Sequence, residues 1–375
     1  MPKSFFSNII VKEVCNTGRQ IELDIGKALP ILCLPFVHCI IECCTEKQLT
    51  HGIPYVFDSV IGGPLSAPLF LFCMGATLHY SRFNSPGKMA KRGLKLIGFG
   101  FLLNICRFLI PFLIGYAVTG DAVKFLVPLP FWVFGNDVLM FAGVAFLCLA
   151  LMIRLHVPKW GMAAIALVFS VAGTFLRSTD LGSDVLNIIG GWFIGTVNAK
   201  DQIISDFPLL NWLIVPVCGY LFGWLLRRVR DKKRFYLCFS PVLLIAAAVY
   251  FFFGIRGEIG MFGEGQNAYY HLQTTDAFVC VAATMGLLGV YFAVSHVLAR
   301  PILGFLSFVS CHITKFYCIH WVFVRMITNV ILYAATGSQQ LPLWSVMLVS
   351  FGIMLVTLLV LYTYPKLLLR ERKTA

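Results

Sequence analysis

The chain has 375 residues, 59% of them hydrophobic and only 13% charged, with a mean hydropathy of +0.83. A soluble domain carries about a quarter charged residues, so the composition excludes one, and the long unbroken apolar runs exclude the alternating strands of a membrane barrel. The formal charge of +13 would suit nucleic acid, but the cations lie in short loops beside apolar runs, where membrane topology accounts for them, so no nucleic-acid partner is expected.

The expected fold class is all-α, a polytopic membrane helix bundle. In chain order, residues 1–25 read as a polar cytoplasmic segment with no apolar N-terminal core, so no cleavable leader is expected. A span needs about 20 apolar residues. About ten runs qualify: 26–44, 59–80, 93–118, 133–153, 160–177, 208–226, 234–255, 273–298, 303–334 and 342–364. The ninth is long enough to be kinked or broken. Residues 184–197 (DVLNIIGGWFIGTV) are apolar but short and glycine-rich, which fits a re-entrant or interfacial segment. Residues 26–366 are taken as one transmembrane domain and 367–375 as a basic cytoplasmic tail.

With the N-terminus inside, 22 Lys and Arg fall in inside segments, five outside and three within spans. That bias supports an even number of spans with both termini cytoplasmic. The thirteen cysteines sit mainly in apolar runs at spacings that suit neither zinc nor a disulfide framework. No metal is expected.

Ionisable residues inside spans are costly and usually face a cavity or a partner. Here they are His38, Glu42, Arg107, Asp137, Asp276, Lys315, His320 and Arg325. His38 lies eleven residues beyond Lys27, about 16 Å along a helix, and Glu42 follows on the same face. Asn104 is a polar companion of Arg107, one turn away. Pro30 and Pro35 interrupt the first span, and Pro35 frees the carbonyl of Ile31. Convergence of these groups in one polar pocket is the expectation. Arg325 and Asp276 lie nearer span ends, where snorkelling is cheap.

Several stretches resemble integral membrane acyltransferases. Their first span reads Arg-Gly-Leu-Ala, with a histidine eleven positions after the arginine. Here Lys27-Ala28-Leu29-Pro30 precedes His38 at that spacing, and only Leu29 is identical in the tetrad. SAPLFLFCMGATLHYSR (66–82), KRGLKLIGFGFLLNICR (91–107), NDVLMFAGVAFLCLAL (136–151) and FPLLNWLIVPVCGYLFG (207–223) resemble successive spans of the heparan-α-glucosaminide N-acetyltransferase-like branch. ITKFYCIHWVF (313–323) carries the Tyr-x-x-His of these families in Tyr317 and His320. The resemblance implies transfer of an acyl group, most simply acetyl from cytoplasmic acetyl-CoA, to a sugar or other acceptor at the outer face of a plasma membrane. It also implies a base, either His38 or His51, which lies in the first outer loop.

Acyl transfer needs a base that works near neutral pH. The expected roles are His38 as base, Glu42 as its orienter, and Arg107 and Lys315 as stabilisers of the oxyanion. His51 and His320 are the further candidates. Lys88, Lys91, Arg92 and Lys95, at the start of the third span, are the candidates for the phosphates of CoA, although anionic membrane lipid attracts such clusters too. Glu264, Tyr269, Tyr270 and His271 are candidates for shaping an acceptor site. A proton-coupled transporter or flippase is the alternative, because buried ionisable groups also make proton relays.

Overall fold

The computed structural model describes residues 9–82, 84–199, 202–253 and 269–374. Among them the protein is helical, and its only strand-like pairings are isolated bridges. The principal helices are α1 (Ile21–Cys43), α2 (Ala67–Thr77), α3 (Pro86–Asn104), α4 (Ile110–Thr119), α5 (Val138–Arg154), α6 (Lys159–Phe175), α7 (Ile214–Leu226), α8 (Lys232–Phe253), α9 (Thr274–Ser295), α10 (Arg300–Cys311), α11 (Ile313–Arg325) and α12 (Leu343–Thr374). Nine helical stretches among the described residues are long and apolar enough to cross a membrane. The protein is a multi-pass integral membrane protein.

Ten spans were expected. The difference is α6, whose 17 residues make about 26 Å of helix, just short of the hydrocarbon thickness. The long ninth run is broken as anticipated: α10 ends at Cys311 and α11 begins at Ile313 after the non-helical His312. Residues 184–197 hold the seven-residue helix Asp184–Gly190, followed by turns. α1 starts at Ile21, earlier than expected, and continues through Pro30 and Pro35. α12 runs on through the expected tail as far as Thr374.

The chain divides into two compact units. The first comprises residues up to Gly26, Gly63–Phe101 and Phe134–Ala299. Its helices approach closely because small residues face one another, as expected where lipid removes the hydrophobic drive for association. A Cβ on Gly75 would strike the carbonyl of Pro216, one on Gly219 that of Phe72, and one on Gly223 that of Ala76, so α2 and α7 touch backbone to backbone. Gly93 of α3 and Gly143 of α5 meet in the same way. On α9, Gly286 and Gly289 admit Leu244 and Ser240 of α8, and the Ser240 hydroxyl donates to the Gly286 carbonyl at 2.8 Å.

The N-terminal segment is docked onto the basic loop before α8. Val11 N–H donates to the Arg228 carbonyl at 2.9 Å and Arg230 N–H to that of Ile9 at 2.8 Å. Glu22, buried in the first turn of α1, takes Lys232 as ion partner at 2.5 Å and accepts from the Tyr236 hydroxyl at 3.2 Å. Part of the positive charge of RRVRDKKR is thus spent inside the protein.

The second unit comprises Lys27–Gly62, Leu102–Val133 and Arg300–Ala375. Phe108, Phe112 and Phe125 form its apolar core, with Leu129, Val133 and Tyr333 packed around them. Three π-helical segments occur among the described residues, Val56–Gly62, Ile105–Leu109 and Met326–Leu332, and all three belong to this unit. Such wide turns are rare and concentrate at functional sites.

Gly219→Val should lower the thermal unfolding temperature of the detergent-solubilised protein, with a loss of about 1–3 kcal/mol, while Gly98→Ala, at a position with open space around it, should leave it unchanged.

Candidate functional site

The second unit gathers most of the ionisable residues that its membrane-spanning stretches carry. α1 contributes His38 and Glu42, the π-helical segment Ile105–Leu109 contributes Arg107, and α11 contributes His320, Trp321 and Arg325. The ring of His38 lies on Trp321 with centroids 3.8 Å apart, and the His320 ring stacks at 5.5 Å from His38. His320 Nδ1 sits 3.0 Å from the Phe316 carbonyl oxygen. A carbonyl only accepts, so Nδ1 carries the hydrogen and, in the neutral ring, Nε2 keeps its lone pair. The Nε2 atoms of both His38 and His320 are buried and have no hydrogen-bond partner among the described residues.

The two guanidinium groups are held differently. Arg325 Nη1 donates to Glu42 Oε2 at 2.7 Å. Its guanidinium carbon also lies over the rings of Phe108 at 4.8 Å, Trp321 at 5.3 Å and Trp132 at 5.5 Å. Arg107 donates through Nε and Nη2 to Asn104 Oδ1 at 3.2 and 2.9 Å and lies over Phe108 and Trp321. Asn104 in turn donates to the Val133 carbonyl at 3.0 Å. Both cations lie in electrostatic range of His38. Two guanidiniums thus face one carboxylate around a pair of imidazoles, an arrangement suited to developing negative charge.

Several sequence expectations are corrected here. Glu42 does not orient His38; its carboxylate is engaged by Arg325. Lys315 is exposed, whereas His320 is fully buried. Five residues along a helix turn the side chain by about 140°, so the two cannot share a face. His51 is exposed, with Thr50 Oγ1 3.2 Å from its Nδ1, and stands at the start of the short helix Gly52–Tyr55. Asp137 and Asp276 belong to the first unit. Asp137 caps α5 by accepting from Val138 N–H at 2.6 Å, and Asp276 accepts from the Tyr250 hydroxyl at 2.7 Å.

Trp321 is the residue that sequence reasoning missed, and Arg325, read there as a snorkelling group near a span end, lies instead at the centre of the apolar stretch Ile313–Thr336. The signal was their spacing: Trp321 and Arg325 are one turn apart, so the ring and the cation share a face. A lone carboxylate at Glu42 also required a cation somewhere in the bundle.

Lys88, Lys91, Arg92 and Lys95 lie in the first unit on α3. Their spacing places all four within an arc of about 100°. The three lysines are exposed, and Arg92 is half-buried with its guanidinium over the Phe146 ring at 5.1 Å.

Of the outer-loop candidates, Glu264 lies outside the described residues. Tyr269 and Tyr270 pack with Trp212 and Phe207 in an aromatic cluster, and Trp212 Nε1 donates to the Tyr270 carbonyl at 2.7 Å. His271 is fully buried, with Nε2 3.2 Å from the Ser205 carbonyl oxygen. A Cβ on Gly195 would meet its ring at 2.7 Å, so the imidazole fills the space that this glycine leaves. Burial pushes the His271 pKa down to about 4, against a smaller upward pull from Ser205, and the Arg177 charge adds to the lowering. His271 is a packing group rather than an acceptor contact.

The profile of the heparan-alpha-glucosaminide N-acetyltransferase catalytic family matches residues 19–254. The chain belongs to that family. The match takes in His38, Glu42, His51, Arg107 and the α3 cations, and stops before α11. It is the signature of a membrane acetyltransferase. No curated protein matches the chain.

Two outcomes are expected. Glu42→Gln should cost about 3 kcal/mol in unfolding free energy by leaving a buried guanidinium without its carboxylate, and the double variant Glu42→Gln, Arg325→Met should regain most of it. For His271, the folded pKa lies below the ordinary value of 6.5. Its contribution is therefore full above pH 6.5 and falls as pH drops toward about 4, a loss of about 3 kcal/mol. Thermal unfolding of His271→Gln over that pH range should show a flatter profile than the unsubstituted protein.

Proposed function

We propose that the protein transfers an acetyl group from acetyl-CoA to the amine or hydroxyl of a glycan or small-molecule acceptor. The observation that carries this reading is the pair of buried imidazoles, His38 and His320, with free Nε2 atoms beside two guanidinium groups. The family match supports the reaction class. The excess of cations in alternate loops supports cytoplasmic termini, with the short apolar helix α6 crossing as the tenth span.

His38 is the base. The residue is partly exposed where His320 is fully enclosed, and its buried Nε2 has no hydrogen-bond partner among the described residues. His38 Nε2 takes the proton of the acceptor as the acceptor's nitrogen or oxygen bonds to the acetyl carbon. The thioester C–S bond breaks, and the proton passes from His38 to the departing sulfur. Arg107 and Arg325 stabilise the oxyanion, and Glu42 holds Arg325 in place. His320 packs against His38 and fixes the plane of its ring. Lys88, Lys91 and Lys95 bind CoA phosphates as exposed point charges, with Arg92 beside them.

Radiolabelled acetyl-CoA and glucosamine, supplied to the purified protein, test this reading. His38→Ala should lower acetyl transfer by 10²–10⁴-fold, whereas His51→Ala should stay within about threefold of the unsubstituted rate. Replacing Lys88, Lys91 and Lys95 together by alanine should raise the KM for acetyl-CoA and leave that for glucosamine unchanged. Full transfer by His38→Ala would remove the assignment of the base.

A further inference from the structure

A second string of polar side chains runs through the second unit, separate from the imidazole pair. Asp121 caps the short helix Ala122–Phe125, with Oδ1 accepting from Lys124 N–H at 3.0 Å. Its other oxygen accepts from the Tyr333 hydroxyl at 2.9 Å. These hydrogen bonds hold the Asp121 pKa below the usual carboxylate range, the Lys124 backbone bond contributing most and the Tyr333 hydroxyl next. Lys124 Nζ lies 3.8 Å from the centroid of the Tyr333 ring and donates to Gln339 Oε1 at 3.0 Å. Gln339 then donates through Nε2 to Asn329 Oδ1. The loop that bears Gln339 is pinned to the end of α1, where Leu341 N–H meets the Cys43 carbonyl at 3.1 Å.

The orientation of every amide in this string follows from its first member. An ammonium group only donates, so Gln339 must turn its oxygen to Lys124 and its NH₂ to Asn329. Asn329 must then turn its oxygen to Gln339. What remains is the NH₂ of Asn329, which is buried and has no partner in the described structure. An unsatisfied buried donor is costly, at about 1–3 kcal/mol, and the pull of Lys124 through Gln339 sharpens its need for an oxygen. Asn329 lies four residues beyond Arg325, and Glu42 acts electrostatically on Lys124. The string therefore adjoins the Glu42–Arg325 pair.

We propose that Asn329, Gln339, Lys124 and Asp121 form the subsite that recognises the hydroxyl groups of a sugar acceptor, with Asn329 Nδ2 donating to one of its oxygens. This deepens the reading under "Proposed function" and rests on it. Sugar hydroxyls both donate and accept. The string offers donors in Asn329 and Lys124, acceptors in Asp121 and Gln339, and a ring face in Tyr333, packed edge-on to Phe125 at 5.6 Å. Asp121 beside Lys124 balances the local charge, which disfavours a phosphorylated acceptor and suits a neutral or amine-bearing polyol. An apolar acceptor would leave the Asn329 donor unmet.

The test compares glucosamine with ethanolamine, which offers an amine without the ring hydroxyls. Asn329→Leu and Gln339→Leu should each raise the KM for glucosamine about tenfold, with kcat and the KM for ethanolamine within twofold of the unsubstituted values. Retained acetyl-CoA binding shows that each variant is folded. Parallel changes for both amines, or an unchanged KM for glucosamine in Asn329→Leu, overturn the subsite. If the unsubstituted protein acetylates neither amine, the reaction assignment fails. The subsite is then decided by thermal shift. Stabilisation by glucosamine that Asn329→Leu abolishes supports it, and absence of stabilisation overturns it.

Discussion

A guanidinium group in hydrocarbon must find a carboxylate, a carbonyl or a ring face, and the second unit is organised around that demand. Arg325 is held by Glu42 on α1 and by the rings of Phe108, Trp132 and Trp321. Those same rings carry Arg107 and His38. Meeting the charge requirement of one side chain thus brings α1, the Ile105–Leu109 turn and α11 to common contacts. An arginine at the middle of a span costs about 2.5–3.5 kcal/mol even on the mildest scale. Such a residue persists where its charge is used, and the oxyanion role proposed above would be such a use.

The first unit solves a different problem. Among the described residues, its helices hold no comparable cluster of cations at their centre. They gain cohesion from close backbone approach at Gly75, Gly219, Gly223, Gly93 and Gly143. Its buried carboxylates sit at helix starts: Glu22 of α1 meets Lys232 of α8, Asp137 caps α5, and Asp276 in the first turn of α9 accepts from Tyr250. One unit relies on van der Waals fit between small residues, and the other on hydrogen bonds and cation–ring contacts among large ones.

Much of this was legible in the sequence. Hydropathy alone located the spans, because twenty apolar residues in a row leave few alternatives. The break in the ninth run was visible as excess length. His38, Arg107 and His320 stood out because ionisable groups in hydrocarbon need a reason to be there. Asp137 was read as a pocket group although an aspartate directly before an apolar run is a helix cap. What sequence could not supply was which face of α11 points inward. Lys315 and Arg325 are both basic and ten residues apart, and local chemistry does not rank them. The choice is made by Glu42, 283 positions away in the chain. His271 was misplaced for a similar reason: its burial depends on the space left by Gly195, a contact with no local signal.

The π-helical stretch Met326–Leu332 sits between Arg325 and the residues that face Asp121 and Lys124. A wide turn holds an extra residue, and that residue sets the rotational phase of everything beyond it. Deleting it would leave Arg325 on Glu42 and rotate Tyr333 by about 100°, away from Asp121. The helix therefore carries two independent alignments, joined at a point where a single insertion or deletion resets one without touching the other. A single step of that kind would exchange the contacts of Tyr333 while the Glu42–Arg325 pair is inherited intact.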